Sequence, residues 1–189
     1  MFVADAQGNY YWNFETHSDD LANLVPQSIT KQKIYLASQA SPAACRANII
    51  NGTNQGPALV NYQGHGNVDV WSGASIFTSN DAYNLTNGNR LPLVIVADCL
   101  NGVFNDPVLE GLGETILKAP HGGGVAAYAS SGETIPDGQQ EMSIRVFQLL
   151  FGAQSMALGD VTKQAKSATN DLDVRRTWIL LGDPSMKIW

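Results

Sequence analysis

Twice in this chain a short apolar run ends in a glycine-bearing turn that carries a reactive side chain. Ala58 to Tyr62 leads into Gln63-Gly64-His65-Gly66, and Leu91 to Ala97 leads into Asp98-Cys99-Leu100-Asn101-Gly102, with His65 and Cys99 34 positions apart. Leu91 to Ala97 is continuously apolar, the mark of a strand buried on both faces, which occurs in parallel sheets covered by helices. Such sheets place their functional sites at the carboxyl ends of their strands. A thiol and an imidazole would then leave the same edge, and together they are the working pair of a cysteine hydrolase.

The rest of the chain alternates strand and helix. Strands are expected at residues 2–5, 33–37, 58–62, 91–97, 123–129 and 178–181. Between them, a polar loop with Gly8 and Asn9 passes through Tyr10, Tyr11 and Trp12 to a helix near 17–25, stopped at Pro26. Ser41 and Pro42 have the form of an N-cap and first helical residue, and Asn51-Gly52 that of a left-handed stop. Residues 67–90 read as a long polar loop with a short helix around 81–85. Asp106-Pro107 opens a helix to about Lys118, and two more span roughly 139–151 and 154–168. This alternation implies βαβ units and a mostly parallel sheet with right-handed crossovers. No linker divides it, so residues 1–189 form a single α/β domain. The Met-Phe-Val-Ala-Asp start resembles a strand entered partway, as in a piece excised from a longer chain.

Composition removes several function classes. The net charge is −6 and the 11 lysines and arginines are scattered, whereas a nucleic-acid binder carries a basic stripe. An acidic surface mildly favours cationic substrates. No apolar stretch approaches a membrane span, and the first residues lack the pattern of a signal peptide. Two cysteines, Cys45 and Cys99, are too few for a disulfide scaffold. A bridge between them would consume the nucleophile, and Cys45 reads as a small hydrophobe in a helix. The three histidines show no zinc-ligand spacing. His121-Gly122-Gly123-Gly124 has the form of a lipase oxyanion loop but no Gly-x-Ser-x-Gly elbow accompanies it.

For the His and Cys segments, the chemistry is specific. A helix starting soon after Cys99 would lower its thiol pKa. Gly64 and Gly66 free the backbone around His65 for close approach and positive φ. The N–H groups of Gly66 and Cys99 would form an oxyanion hole, worth a few kcal/mol of transition-state stabilisation. Asp98, by alternation along its strand, points away from Cys99 and is read as structural.

The segments LVNYQGHG and LVIVADCLNGVF resemble the His-Gly and Cys blocks of the gingipain-type cysteine peptidases, a family related to caspases and legumains. GGVAAYASSGET and LLGDPSMKI extend the resemblance over nearly the whole chain. It implies a caspase-like three-layer α/β sandwich, with a mostly parallel central sheet, helices on both faces, His after the third strand and Cys after the fourth. It also implies a cysteine endopeptidase acting through a Cys99 thioester, with His65 as base and general acid and Gly66 and Cys99 supplying the oxyanion N–H groups.

By the same resemblance, the pocket for the residue before the scissile bond is built from residues 6–16 and 130–142. Met142 is similar to a pocket-walling Met of the arginine-specific members. Ile135 or Pro136 stands where they carry an aromatic residue, and Phe14 or Glu15 where they carry a carboxylate. Glu15 and Glu133 are the candidate partners for a basic side chain, and Asp5 is a candidate orienter of the histidine. The resemblance implies no cofactor for catalysis, and a structural calcium for which the oxygen-rich residues 79–89 offer no EF-hand spacing. It implies a protein or peptide substrate, a neighbouring subdomain or pro-segment, and a secreted or cell-surface location. Two other readings keep the same residues: a sortase-like transpeptidase, and a catalytically silent binding or maturation module. Retention of both His65 and Cys99 argues against the second.

Overall fold

The apolar run before Cys99 becomes a strand in the middle of a six-stranded sheet, in a computed structural model that describes residues 1–8 and 11–188. Asn9, Tyr10 and Trp189 lie outside the described residues. In chain order the elements are β1 (Phe2–Ala4), α1 (Phe14–Leu24), β2 (Lys33–Tyr35), α2 (Pro42–Asn54) and β3 (Leu59–Gln63). Next come β4 (Gly66–Asn67), β5 (Val70–Trp71), β6 (Phe77–Thr78), α3 (Ser79–Tyr83) and β7 (Leu93–Ala97). The chain continues with α4 (Leu112–Lys118), β8 (Ala126–Ser130), α5 (Pro136–Leu150), α6 (Leu158–Ala165), α7 (Leu172–Thr177) and β9 (Trp178–Leu181).

The large sheet has the order β2-β1-β3-β7-β8-β9. All its pairs are parallel except β8 with β9, which is antiparallel. Successive side chains of a strand point to opposite faces, and β7 shows what that requires here. Leu93, Ile95 and Ala97 enter one apolar layer, with Leu21 of α1 and Phe147 of α5. Val94 and Val96 enter the other, with Ile49 of α2 and Ile116 of α4. Both layers are closed by helices, so every residue of β7 is buried and the strand has no polar face. The fold is the expected three-layer α/β sandwich.

The differences from expectation lie between the strands, and each has a local cause. The first helix starts at Phe14 because the Asn13 side chain accepts the Thr16 N–H at 3.0 Å. The second continues through Gly52, and the left-handed turn is at Gly56, with φ +72°. At Gly52 a Cβ would lie 2.6 Å from the Met1 sulfur, so glycine there serves close packing. Asp106 does not open a helix. Its carboxylate instead accepts the N–H groups of Val108 and Leu109 at 2.8 and 2.9 Å, leaving residues 104–110 as an exposed loop before α4. Residues 67–90 hold a three-stranded sheet, β4-β5-β6, beside the short helix. Trp71 anchors this sheet by stacking on Tyr62, with ring centroids 4.5 Å apart and planes 7° from parallel. Helix α7 has no counterpart in the sequence reading.

Ile95 is 1% exposed in β7. Ile95→Ala should cost about 2–5 kcal/mol, as for other buried aliphatic truncations, while Ile29→Ala, at a residue 39% exposed, should stay within about 0.5 kcal/mol. Chemical denaturation of the two variants measures the difference.

Candidate active site

The parallel register of β3 with β7 pairs Leu59 with Leu93 and continues without slip to Gln63 with Ala97. His65 and Cys99 each stand two residues beyond that last pair. The 34-residue spacing seen in the sequence is therefore the offset of the strand pairing itself.

The turn after β3 is held from several sides. Gly64 N–H donates to the Ala97 carbonyl at 3.1 Å, tying it to the end of β7. The His65 carbonyl accepts the Tyr62 hydroxyl and the Ser72 N–H, both at 2.7 Å. Asp5, just past β1, accepts the His65 backbone N–H at 3.3 Å, the Ser72 hydroxyl at 2.8 Å and the Ala6 N–H at 2.8 Å. In these bonds Asp5 braces the backbone of the turn. The His65 side chain is exposed and meets the edge of Phe14, with ring centroids 5.2 Å apart.

The turn after β7 is equally fixed. Leu100 has φ +69°, a left-handed conformation that is strained for a branched side chain. It persists because Leu100 N–H donates to the Gly132 carbonyl at 3.3 Å and Gly102 N–H to the Ser130 carbonyl at 2.8 Å. Buried Gln139 links this turn to its neighbour. Its amide donates to the Asp98 carbonyl at 3.2 Å and to the Thr134 hydroxyl and carbonyl at 2.7 and 3.3 Å. The Cys99 thiol, partly exposed, contacts the Thr134 carbonyl at 3.5 Å.

Because α4 does not begin until Leu112, the helix expected soon after Cys99 is not there to lower its pKa. Burial pushes the thiol above its usual value, hydrogen bonds with the Thr134 backbone and side chain pull it part of the way back, and the Glu133 charge pushes it up. Forming the thiolate therefore calls for a positive charge nearby. Cys45, also a free thiol, is fully buried in α2 and raised to about 11.

Cys99 opens into a cavity of about 440 Å³ lined by Gly66, Asn67, Cys99, Leu100, Glu133, Thr134, Ile135, Asp171 and Asp173. Four of the expected site residues thus meet there: Gly66, Cys99, Glu133 and Ile135. His65 adjoins Gly66 along the chain. Glu15 and Met142 do not reach the cavity. Glu15 lies half-buried in the first turn of α1, where its charge acts on Tyr35. Met142 is fully buried in the core, its sulfur accepting the Tyr128 hydroxyl at 3.2 Å. Asp171 and Asp173, from the start of α7, were not singled out, since nothing local in the sequence connects that helix to the cleft. Asp81, the sole carboxylate among residues 79–89, completes the capping box of α3 and pairs with Arg46 at 2.9 Å.

Asp98, read as structural from the sequence, lies beneath the turn that carries His65. It is fully buried, and a Cβ on Gly66 would lie 2.0 Å from its Oδ2, so the carboxyl packs directly against the Gly66 backbone. Among the described residues, no hydrogen bond of ordinary geometry reaches either oxygen. Burial holds this carboxyl well above the usual carboxylate range, offset only in part by the Asn101 backbone N–H. The folded state thus keeps a proton that the unfolded chain releases above about pH 3.9, and stability falls as pH rises from there toward the folded pKa. Asp98→Asn, with the same shape and no charge, should melt at a higher temperature than the parent at pH 8. The gap should close toward pH 4 in thermal unfolding curves.

A family model described as "Peptidase family C25" matches residues 1–189. Over 193 aligned residues the chain is 33% identical to Gingipain R2 of Porphyromonas gingivalis, covering 91% of this chain and 25% of that protein. It is also 33% identical to Gingipain R1 of the same organism, with 91% and 18% covered. Among solved structures, the crystal structure of the Arg-specific cysteine proteinase gingipain R superposes with a TM-score of 0.83 at 27% identity, over 98% of this chain and 46% of that one. The complex of Porphyromonas gingivalis RgpB pro- and mature domains gives 0.79 at 25%, over 97% and 47%. The chain therefore spans a quarter or less of these curated relatives and about half of the solved chains.

Proposed function

The chain belongs to peptidase family C25, and from that premise we propose that it is the catalytic piece of a cysteine endopeptidase in which Cys99 and His65 act as a pair. The observation that carries this is the β3–β7 register, which brings the two residues off neighbouring strands at the same level, with Gly66 and Cys99 lining one cavity. His65 takes the thiol proton, and the resulting imidazolium supplies the positive charge that a half-buried thiol beside Glu133 needs. The thiolate attacks the scissile carbonyl. The N–H groups of Gly66 and Cys99 receive the developing oxyanion. His65 then protonates the departing amine, leaving a thioester at Cys99, and a water activated by the same imidazole releases the acyl group.

The substrate is a protein or peptide with a basic residue before the scissile bond. What supports this is the charge of the cavity, whose charged lining residues are Glu133, Asp171 and Asp173. The first loop contributes no carboxylate there, since Phe14 is buried against His65 and Glu15 lies elsewhere. Like the gingipain whose pro- and mature domains form a complex, the protein works with a pro-segment or neighbouring subdomain, and it acts outside the cell or on its surface. Among the described residues no helix is long and apolar enough to cross a membrane.

Fluorogenic peptides with Arg, Lys, Leu or Asp before the cleaved amide test the proposal. Arg and Lys substrates should be hydrolysed at least tenfold faster in kcat/KM than Leu or Asp, and Cys99→Ala should abolish the activity. Glu133→Gln should lower kcat/KM for the Arg substrate by about 2–5-fold, since an exposed ion pair is worth up to about 1 kcal/mol. A preference for Leu or Asp would contradict the assignment of the acidic cavity.

A further inference from the structure

The cleft does not end at Cys99. Asn67 lines the cavity beside the thiol and also a second one, of about 590 Å³, bordered by the β4–β5 turn. That second cavity has an apolar wall made of Tyr83, Val108 and Leu109, which are 52%, 86% and 56% exposed. Large apolar side chains this open to water mark a surface that meets something else.

The wall is also built to stay in place. Asp106 accepts the N–H groups of Val108 and Leu109, bonds that hold its own carboxyl below the usual range and fix both side chains on the outside of their turn. The floor between the cavities is pinned at both ends: the Asn101 side-chain amide donates to the Asn67 carbonyl, and Leu112 N–H donates to the Val68 carbonyl at 2.8 Å. Glu110, at the rim, is paired with Lys118 at 2.9 Å.

Chemistry sets the direction in which a substrate crosses this groove. In the proposed reaction the general acid stands beside the amine that departs, so the part of the peptide after the scissile bond begins at His65. The residues that follow His65 and Gly66 along the chain, Asn67, Val68 and Asp69, line the second cavity, Asn67 being shared with the first. We infer that this cavity is a subsite for the leaving side of the peptide, and that Tyr83, Val108 and Leu109 take an aliphatic or aromatic side chain there. The inference rests on the catalytic reading above and adds to it a specificity on the opposite side of the cleaved bond.

The test uses internally quenched peptides that are identical up to an Arg at the cleaved bond and carry Leu or Asp at each of the next three positions. A coumaryl amide of the same acyl part, which has no leaving-side residues, is the reference. Leu at one of those positions should exceed Asp there by tenfold or more in kcat/KM, through KM. The double variant Val108→Asp, Leu109→Asp should lose at least fivefold on the Leu peptide while its coumaryl amide activity stays unchanged. Equal rates for Leu and Asp peptides, or an equal loss on the coumaryl amide, would overturn the inference. If no substrate is cleaved, the catalytic reading fails by itself, and the groove is read by fluorescence anisotropy of the labelled Leu peptide with Cys99→Ala protein. Binding that disappears when Val108→Asp and Leu109→Asp are added would support the subsite; no binding would sink it.

Discussion

The unslipped parallel pairing of β3 with β7 is the constraint from which the site follows. Side chains alternate along a strand, so a slip of one residue would turn Tyr62 or Val96 out of its apolar layer and bring polar Asn61 or Asp98 into the wrong one. It would also move His65 against Cys99 by about 3.3 Å. The two apolar layers and the relation of imidazole to thiol are thus set by the same pairing. Neighbouring strands complete the arrangement: β1 delivers Asp5 to the His65 turn, and β8 delivers the 131–135 segment that meets Cys99.

Around that pairing the chain accepts several locally unfavourable features. Among the described residues, Asp98 is buried without an ordinary hydrogen bond, Gly66 has no room for a side chain above it, and Leu100 adopts a left-handed backbone. Each lowers stability on its own. All three lie within a residue or two of His65 or Cys99, and their common effect is to fix where the Gly66 and Cys99 N–H groups stand. Departures from local rules are expected where a site is held in one geometry by the packing around it. The thiol shares this environment, which explains why burial and the Glu133 charge raise its pKa.

What could be read from the sequence was governed by burial on two faces. β3, β7 and β8 are fully buried, so their apolar composition announced them, and the turns they deliver, His65 and Cys99, were found with them. The small β4-β5-β6 sheet was hidden because its strands are two residues each and its stability comes from Trp71 stacking on Tyr62, a contact between segments that sequence patterns do not reveal. Asp106-Pro107 has the form of a helix start, yet its side chain closes a turn, since an Asx turn and an N-cap use the same acceptor. Met142 fell on the buried side of α5, whereas Asp171 and Asp173 reached the cleft from a short helix that no periodicity advertised. Pocket residues contributed by distant segments are the part of a site that only the fold assembles.

The central claim is that Cys99 is the nucleophile and that His65 activates it. The most direct test is reaction of the folded, reduced protein with an arginyl acyloxymethyl ketone, followed by peptide mass mapping of the adduct. The account predicts a single adduct at Cys99, none at buried Cys45, and loss of labelling in His65→Ala protein whose thermal midpoint is unchanged. Labelling at Cys45, or equal labelling of Cys99 with and without His65, would contradict it.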